Sequence, residues 1–564
     1  MKKGFKYVSV VVALLLVGVL SFYAGQRSRF AYLIKNERIS AMEKLEATLY
    51  LIQKYYVDSV NPDKLVEDLI PVLMNQLDPH SSFLTAEQRQ QELENIDGYF
   101  YGIGVTFNYL KDTVVVLDVV PNGPSDIAGI LPGERITHVD GKSIEHLDVS
   151  ADSIRSKLKG PNHSVVRLQV RNPESGDIRD VAVTRGVVNM NAVDASYMIN
   201  DSLGVIKIAS FVSNTYNDFM AAFAKLEQQG MKGLVIDLRD NPGGVMQAAL
   251  LLSNEVLPAG RLIMYMQGNS VPREDFRSDG TGSLQNIPIY VLINEISASA
   301  SEILSGAIQD NDAGILIGRR TFGKGLVQKP FEYYDGSSIH LTIARYYTPS
   351  GRCIQRQYKL GQEEEYSMDW LERLQSGELF HQDSIHVNEE LLFHTMSGRP
   401  VYGAGGITPD IFIPRDTIGY NSYTSQIFTK GVIPAFAFKY ADQYRGALKS
   451  LGDAQTCYTF LTRQGLVWQM ANFANQEYGI RVRNFLIYQA EEKLEDLLIS
   501  VILNYTYGRD ASEKAGNIHD PMMQCAVKLF DSGVYTPMQV PQEDLMLPDT
   551  LAQSVFEKTP DVVD

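Results

Sequence analysis

Three short apolar runs decide what this chain can fold into: Leu203-Gly204-Val205-Ile206-Lys207-Ile208, Gly233-Leu234-Val235-Ile236-Asp237-Leu238 and Ile289-Tyr290-Val291-Leu292-Ile293. Between the first two, residues 214–229 place Phe219, Ala222, Phe223 and Leu226 on one helical face. Between the second and third, residues 245–254 also read as a helix. Strands this apolar are expected to be buried on both faces, and their alternation with helices predicts a mostly parallel sheet. Sites in such sheets form in the loops that leave the carboxyl ends of the strands. The search for chemistry therefore starts at residues 237–244 and 294–299.

The first loop reads Asp237-Leu238-Arg239-Asp240-Asn241-Pro242-Gly243-Gly244. Two glycines after a buried strand let a backbone amide turn outward with no side chain in the way. That suits an oxyanion donor at Gly244, and it equally suits a plain strand-to-helix turn. The second loop holds Ser297-Ala298-Ser299-Ala300-Ser301-Glu302. Ser299 with Glu302 three residues on is the pattern of a capping box, the commoner use of such a pair. The same helix start carries unpaired N–H groups and the positive end of the helix dipole. The Ala300 amide is then placed to stabilise an oxyanion if Ser299 attacks a carbonyl, and small neighbours leave room for a peptide.

A third segment reads Thr321-Phe322-Gly323-Lys324-Gly325-Leu326-Val327-Gln328. Lys324 lacks the glycine spacing of a phosphate loop; an exposed surface lysine is the plainer alternative. The apolar neighbours Phe322, Leu326 and Val327 would disfavour the ammonium form. A neutral amine at Lys324 is able to take the Ser299 proton, with Gln328 holding the amine. On a straight strand those two residues would lie about 13 Å apart, so their contact requires a turn.

Residues 98–187 change texture to short strands with glycine turns. Gly102-Ile103-Gly104-Val105 leads a strand; Pro121-Asn122-Gly123-Pro124-Ser125-Asp126-Ile127-Ala128-Gly129 and Val139-Asp140-Gly141 follow. This pattern resembles a PDZ domain. The resemblance implies that amides of Gly102, Ile103, Gly104 and Val105 receive the terminal carboxylate of a peptide that adds as a strand.

The start of the chain, Met1-Lys2-Lys3-Gly4-Phe5-Lys6, is basic, and residues 7–24 are apolar but for Ser9, Gly18 and Ser21. That length crosses a bilayer as a helix. The expectation is an inner-membrane anchor within residues 1–30 and a body in the periplasm. A cleaved signal peptide is the competing reading, disfavoured by bulky Phe22 three residues before a cut after Ala24. Residues 31–97 read as helical, and 415–564 as a helical domain for packing or for self-association into a homo-oligomer. Residues 357–397 are polar, with Glu363-Glu364-Glu365, and are expected to be a surface insertion in a core spanning 188–414. The net charge of −16 argues against nucleic acid as a partner. Three widely spaced cysteines and nine scattered histidines offer no disulfide framework or metal pattern.

Taken together, LRDNPGG, SASASE and TFGKGLVQ in this order behind a PDZ pattern resemble the carboxy-terminal processing peptidases, or tail-specific proteases. The resemblance covers residues 40–414 apart from 357–397. It implies a crotonase-like α/β protease core with an inserted β-rich PDZ domain and flanking helical regions. By residue, it implies Ser299 as nucleophile, Lys324 as general base and Gln328 as its orienting partner. Gly244 and Ala300 match the oxyanion-hole positions. It also implies protein substrates chosen by their free carboxy-terminal tails, and no metal or organic cofactor. The opposing reading is a membrane-anchored PDZ scaffold with an inactive core, against which the intact Ser299, Lys324 and Gln328 speak. A Ser–His–Asp protease would need a GNSGG- or GDSGG-like loop, which the chain lacks.

Overall fold

The computed structural model describes residues 40–110, 113–145, 151–172, 175–417 and 419–539. The chain divides into two compact units, residues 1–83 with 359–363 and residues 84–358 with 364–564. In the first, helix α1 (Ala41–Tyr55) opens at Ser40 through a capping box with Glu43. Helix α2 (Pro62–Met74) opens at Asn61, whose side chain accepts from the Asp63 and Lys64 amides. Pro62 suits that start, because the first helical turn needs no amide donor there. Among the described residues no helix is long and apolar enough to cross a membrane, and the expected anchor at residues 7–24 lies outside them.

The second unit begins with α3 (Ala86–Asp97) and the paired strands β1 (Tyr99–Gly102) and β7 (Gly186–Asn189). Between these two lies a sheet of β2 (Val105–Leu110), β3 (Thr113–Val119), β4 (Arg135–Val139), β5 (Val165–Arg171) and β6 (Ile178–Thr184), in that order. Helix α4 (Ala151–Leu158) buries Ile154 and Leu158 against it. This module supplies its own core, from Ile103 to Val183.

The larger sheet runs β8 (Val193–Met198), β9 (Leu203–Ile208), β10 (Gly233–Asp237), β13 (Ile289–Ile293), β14 (Ile315–Gly318) and β17 (Ile411–Phe412). All pairs are parallel except β8 with β9. Every residue of β10, β13 and β14 is buried, as a sheet covered on both faces demands. One face carries Ile206, Leu234, Ile236, Val291, Ile293 and Leu316. It packs on α5 (Thr215–Gln228), α6 (Met246–Val256) and α7 (Ala300–Asp310). The other carries Val205, Val235, Tyr290, Leu292, Ile315 and Ile317. It is covered by Met522, Met523 and Ala526 of α12 (Pro521–Asp531), from the far end of the chain.

Strand β11 (Leu262–Gln267) pairs with β12 (Glu274–Arg277) and with β16 (Ser338–Tyr347), which forms a hairpin with β15 (Leu326–Glu332). The stretch expected to be a surface insertion contains helix α8 (Glu363–Gln375). It is not confined to the surface: Tyr366, Arg373, Glu378 and Leu379 are buried. The carboxy-terminal helices, among them α9 (Val432–Gln443), α10 (Glu491–Tyr507) and α11 (Arg509–Gly516), form a core of their own.

Candidate active site

The three loops singled out in the sequence leave the carboxyl ends of neighbouring strands β10, β13 and β14. The first two are stitched together by side chains. Asn241 donates from Nδ2 to the Ile208 carbonyl and accepts the Gly243 amide at 2.8 Å each. Its own carbonyl accepts the Ala298 amide and the Ser301 hydroxyl, both at 3.1 Å. Asn294 pairs in both directions with Asp240, and Ser297 donates to the Leu238 carbonyl at 2.8 Å. Gly243 is required by this closeness. A Cβ there would stand 2.7 Å from the Ser299 Cβ and 2.9 Å from the Ala300 nitrogen. At Gly244, with φ +136°, it would stand 2.0 Å from the Phe211 carbonyl oxygen.

Ser299 precedes α7 with φ 54° and ψ −112°, a conformation that glycine adopts freely and serine does not. Its carbonyl accepts the Glu302 and Ile303 amides at 2.9 Å each, and its amide donates to Glu302 Oε2 at 2.9 Å. The Glu302 half of the expected capping box is thus present, and it leads further. The same carboxylate accepts from the Thr321 hydroxyl at 2.5 Å, the Gly323 amide at 2.7 Å and the Lys324 amide at 2.9 Å. Burial pushes the Glu302 carboxyl up, and these four donors pull against that rise. Among the described residues, neither the Gly244 nor the Ala300 N–H donates to a protein acceptor.

Lys324 Nζ donates to Gln328 Oε1 at 3.0 Å. The straight-strand separation does not apply, for two reasons. Lys324 lies before β15 begins, and the β15–β16 register shifts between Val327 and Gln328, a bulge that redirects side chains. Tyr346 ties the two candidate residues together: its hydroxyl is 2.8 Å from the Lys324 carbonyl and 3.2 Å from that of Ser299. Burial pushes this hydroxyl well above the ordinary tyrosine range, and the neighbouring Glu302 charge adds to it. Tyr346 therefore remains a donor. Glu302, Asn241, Asn294 and Tyr346 were not identified as site residues from sequence. Only Glu302 left a local trace there, its spacing from Ser299.

In the smaller sheet, the amides of Ile103 and Gly104 have no protein acceptor among the described residues. Gly104 has φ +71°, and the Ile103 and Gly104 carbonyls are held by the Ser125 and Val120 amides. Gly102 pairs with Gly186, and Val105 starts β2, whose other edge pairs with no described strand. An open edge beside free amides accommodates an added strand with a terminal carboxylate. Among the described residues, no cluster of three or more His, Cys, Asp or Glu is placed to hold a metal ion.

Residues 202–365 match peptidase family S41, and residues 115–172 match the PDZ domain. The chain is 30% identical over 359 residues to the carboxy-terminal processing protease CtpA of Bacillus subtilis (strain 168), covering 63% of this chain and 76% of that one. It is 29% identical over 362 residues to a probable CtpA-like serine protease of Staphylococcus aureus (strain MRSA252), covering 62% and 71%. Among solved structures, the photosystem II D1 C-terminal processing protease aligns at 29% identity over 56% of this chain and 91% of that one, with a TM-score of 0.31. The chain belongs to the carboxy-terminal processing peptidases, PDZ-containing serine proteases of peptidase family S41.

Proposed function

We propose that the chain is a serine endopeptidase in which Ser299 is the nucleophile, Lys324 the general base and Gln328 the residue that orients the amine. The Ser299 hydroxyl attacks the scissile carbonyl while its proton passes to the neutral Lys324 amine. The Gly244 and Ala300 amides hold the resulting oxyanion. Collapse returns the proton from Lys324 to the leaving amine and leaves an acyl group on Ser299. Water then repeats the sequence, giving its proton to Lys324 and releasing the acid. The observation that carries this reading is the Lys324–Gln328 hydrogen bond at 3.0 Å, beside a serine held at φ 54° next to two uncommitted amides. Unfolded test protein should be cleaved by the wild type and left intact by Ser299→Ala and Lys324→Ala, each with unchanged circular dichroism. Full activity in Ser299→Ala would sink the assignment.

In this reading residues 188–414 form a crotonase-like protease core, and the module at 98–187 selects substrates by their free carboxy-terminal tails. The body works in the periplasm on exported proteins, held by an inner-membrane helix within residues 1–30. The free Ile103 and Gly104 amides support the tail reading. Amidating a substrate's terminal carboxylate should weaken its binding; equal affinity for acid and amide would remove the role.

A further inference from the structure

We propose that helix α8 and the residues that follow β16 form a brace that sets the conformation of the lysine loop, with Arg373 as its central positioning residue. The inference rests on the reading of Lys324 as the base. Asp369, Arg373 and Glu378 lie beyond the residues 202–365 that match peptidase family S41, so that match does not account for this contact.

The loop 321–325 has no regular structure, yet every one of its backbone polar groups is satisfied. On the donor side, Thr321 N–H reaches the Ile407 carbonyl and Phe322 N–H the Ser297 carbonyl, both at 3.0 Å. The Gly323 and Lys324 amides go to Glu302, and that of Gly325 goes to Gln355 Oε1 at 2.8 Å. On the acceptor side, the Thr321 carbonyl takes Arg373 Nη1 at 2.9 Å and the Phe322 carbonyl lies 3.4 Å from Arg373 Nη2. The Gly323 carbonyl takes the Arg356 amide at 3.0 Å, that of Lys324 takes Tyr346, and that of Gly325 takes the Tyr346 amide. The loop's peptide dipoles are therefore clamped between a carboxylate on α7 and a guanidinium on α8. An irregular loop inside a protein persists only when its polar groups are paired in this way.

The side chains repeat the arrangement. The Arg356 guanidinium lies over the rings of both Phe322, at 4.2 Å, and Tyr366, at 3.7 Å, which meet edge to face. Asp369 ion-pairs with both Arg356 and Arg373. Arg320, at the root of the loop, is held by Glu378 and by the Gly405 carbonyl. Arg373 is 4% exposed, although it belongs to a stretch whose composition is that of a surface. A buried guanidinium directed at two loop carbonyls is costly to keep unless the loop geometry matters.

The test uses the full-length protein. Amide hydrogen exchange is followed over peptides spanning 320–328, with cleavage of unfolded protein measured in parallel. In Arg373→Ala, exchange at 320–328 should accelerate by about tenfold or more, while peptides of the PDZ module keep the wild-type rate. kcat should fall by about a hundredfold, as for a misplaced catalytic group, with KM within about threefold. Arg373→Lys, which keeps the charge but cannot span two carbonyls, should lie between. It decides the matter should the alanine variant fail to fold. Arg399→Ala breaks another largely buried ion pair, with Asp312 and Asp410. It should lower the melting temperature without local change at 320–328. Wild-type exchange at 320–328 in both Arg373 variants overturns the brace, as does acceleration spread evenly over the chain. Local acceleration with unchanged kcat overturns its role in positioning. Should Lys324→Ala keep activity, the base assignment falls, and the exchange data still decide the brace.

Discussion

Ser299 stands where a glycine would be at ease, and the penalty for such a conformation in an L-residue is about 1–3 kcal/mol. The four donors around Glu302 show what holds it there: one belongs to Ser299 and two to the lysine loop's own amides. The capping glutamate thus does more than end a helix. It fixes the serine's and the lysine's backbones to one atom group. Its carboxyl is raised by burial, so the folded chain binds that proton more tightly than the unfolded chain does. The stability contributed by the protonated form is complete at low pH and is lost as pH rises through the folded value. Glu302→Gln removes that titration. The melting temperature of the variant relative to wild type should therefore climb with pH, while cleavage falls by about a hundredfold because an amide cannot accept from all four donors. A stability difference that is flat or falling between acid and neutral pH would contradict the buried charge. The motifs pointed to Ser299, Lys324 and Gln328 directly, since the chemistry proposed for them needs those residue types. Asn241, Asn294 and Tyr346 were not legible, because a hydrogen bond across loops leaves no spacing behind.

At the level of elements, strands showed themselves where burial on both faces forced an apolar run, as in β10 and β13. Strand β12, paired with β11, showed no such run, because its exposed edge carries Glu274, Asp275 and Arg277. Helix α8 was hidden for a related reason. Its buried members include an arginine paired with an aspartate, which composition reads as surface. The bulge between Val327 and Gln328 was equally invisible, since register depends on the partner strand. Gln328 sits directly after that shift and accepts from Lys324 at 3.0 Å. Gln328→Ala should then lower kcat about tenfold or more, the loss of a hydrogen bond to the amine proposed as the base, with a melting temperature near wild type. Equal kcat in the variant would mean that the lysine is oriented by other contacts.

At the scale of the molecule, a helix from the far end of the chain packs on the protease sheet. Arg239 leaves the loop after β10 and pairs with Asp237 at 2.6 Å and with Asp520, the cap of α12, at 2.9 Å. It also donates to Asn517 at 2.8 Å, whose own amide reaches the Tyr197 hydroxyl. Burial raises the Asp237 carboxyl, but the charge and hydrogen bonds of Arg239 outweigh it and hold it below the ordinary range. Its contribution to stability is present above the unfolded value and is lost as pH falls through the folded one. Helix α11 adds Lys207–Glu513 at 3.0 Å and a bond from the Ser196 amide to Asp510 at 2.8 Å. Met523 is fully buried against the sheet face opposite α7. Met523→Ala should cost about 2–5 kcal/mol, the usual range for a buried methionine cut back to a methyl. Because α12 caps the face behind β10 and β13, amide exchange in those strands should rise together with exchange in α12. Cleavage should fall as the Arg239–Asp520 contact loosens the loop carrying Gly244. Exchange that rises in α12 alone, with β10 and β13 still protected and cleavage at the wild-type rate, would instead make this helix an appendage to a protease that folds without it.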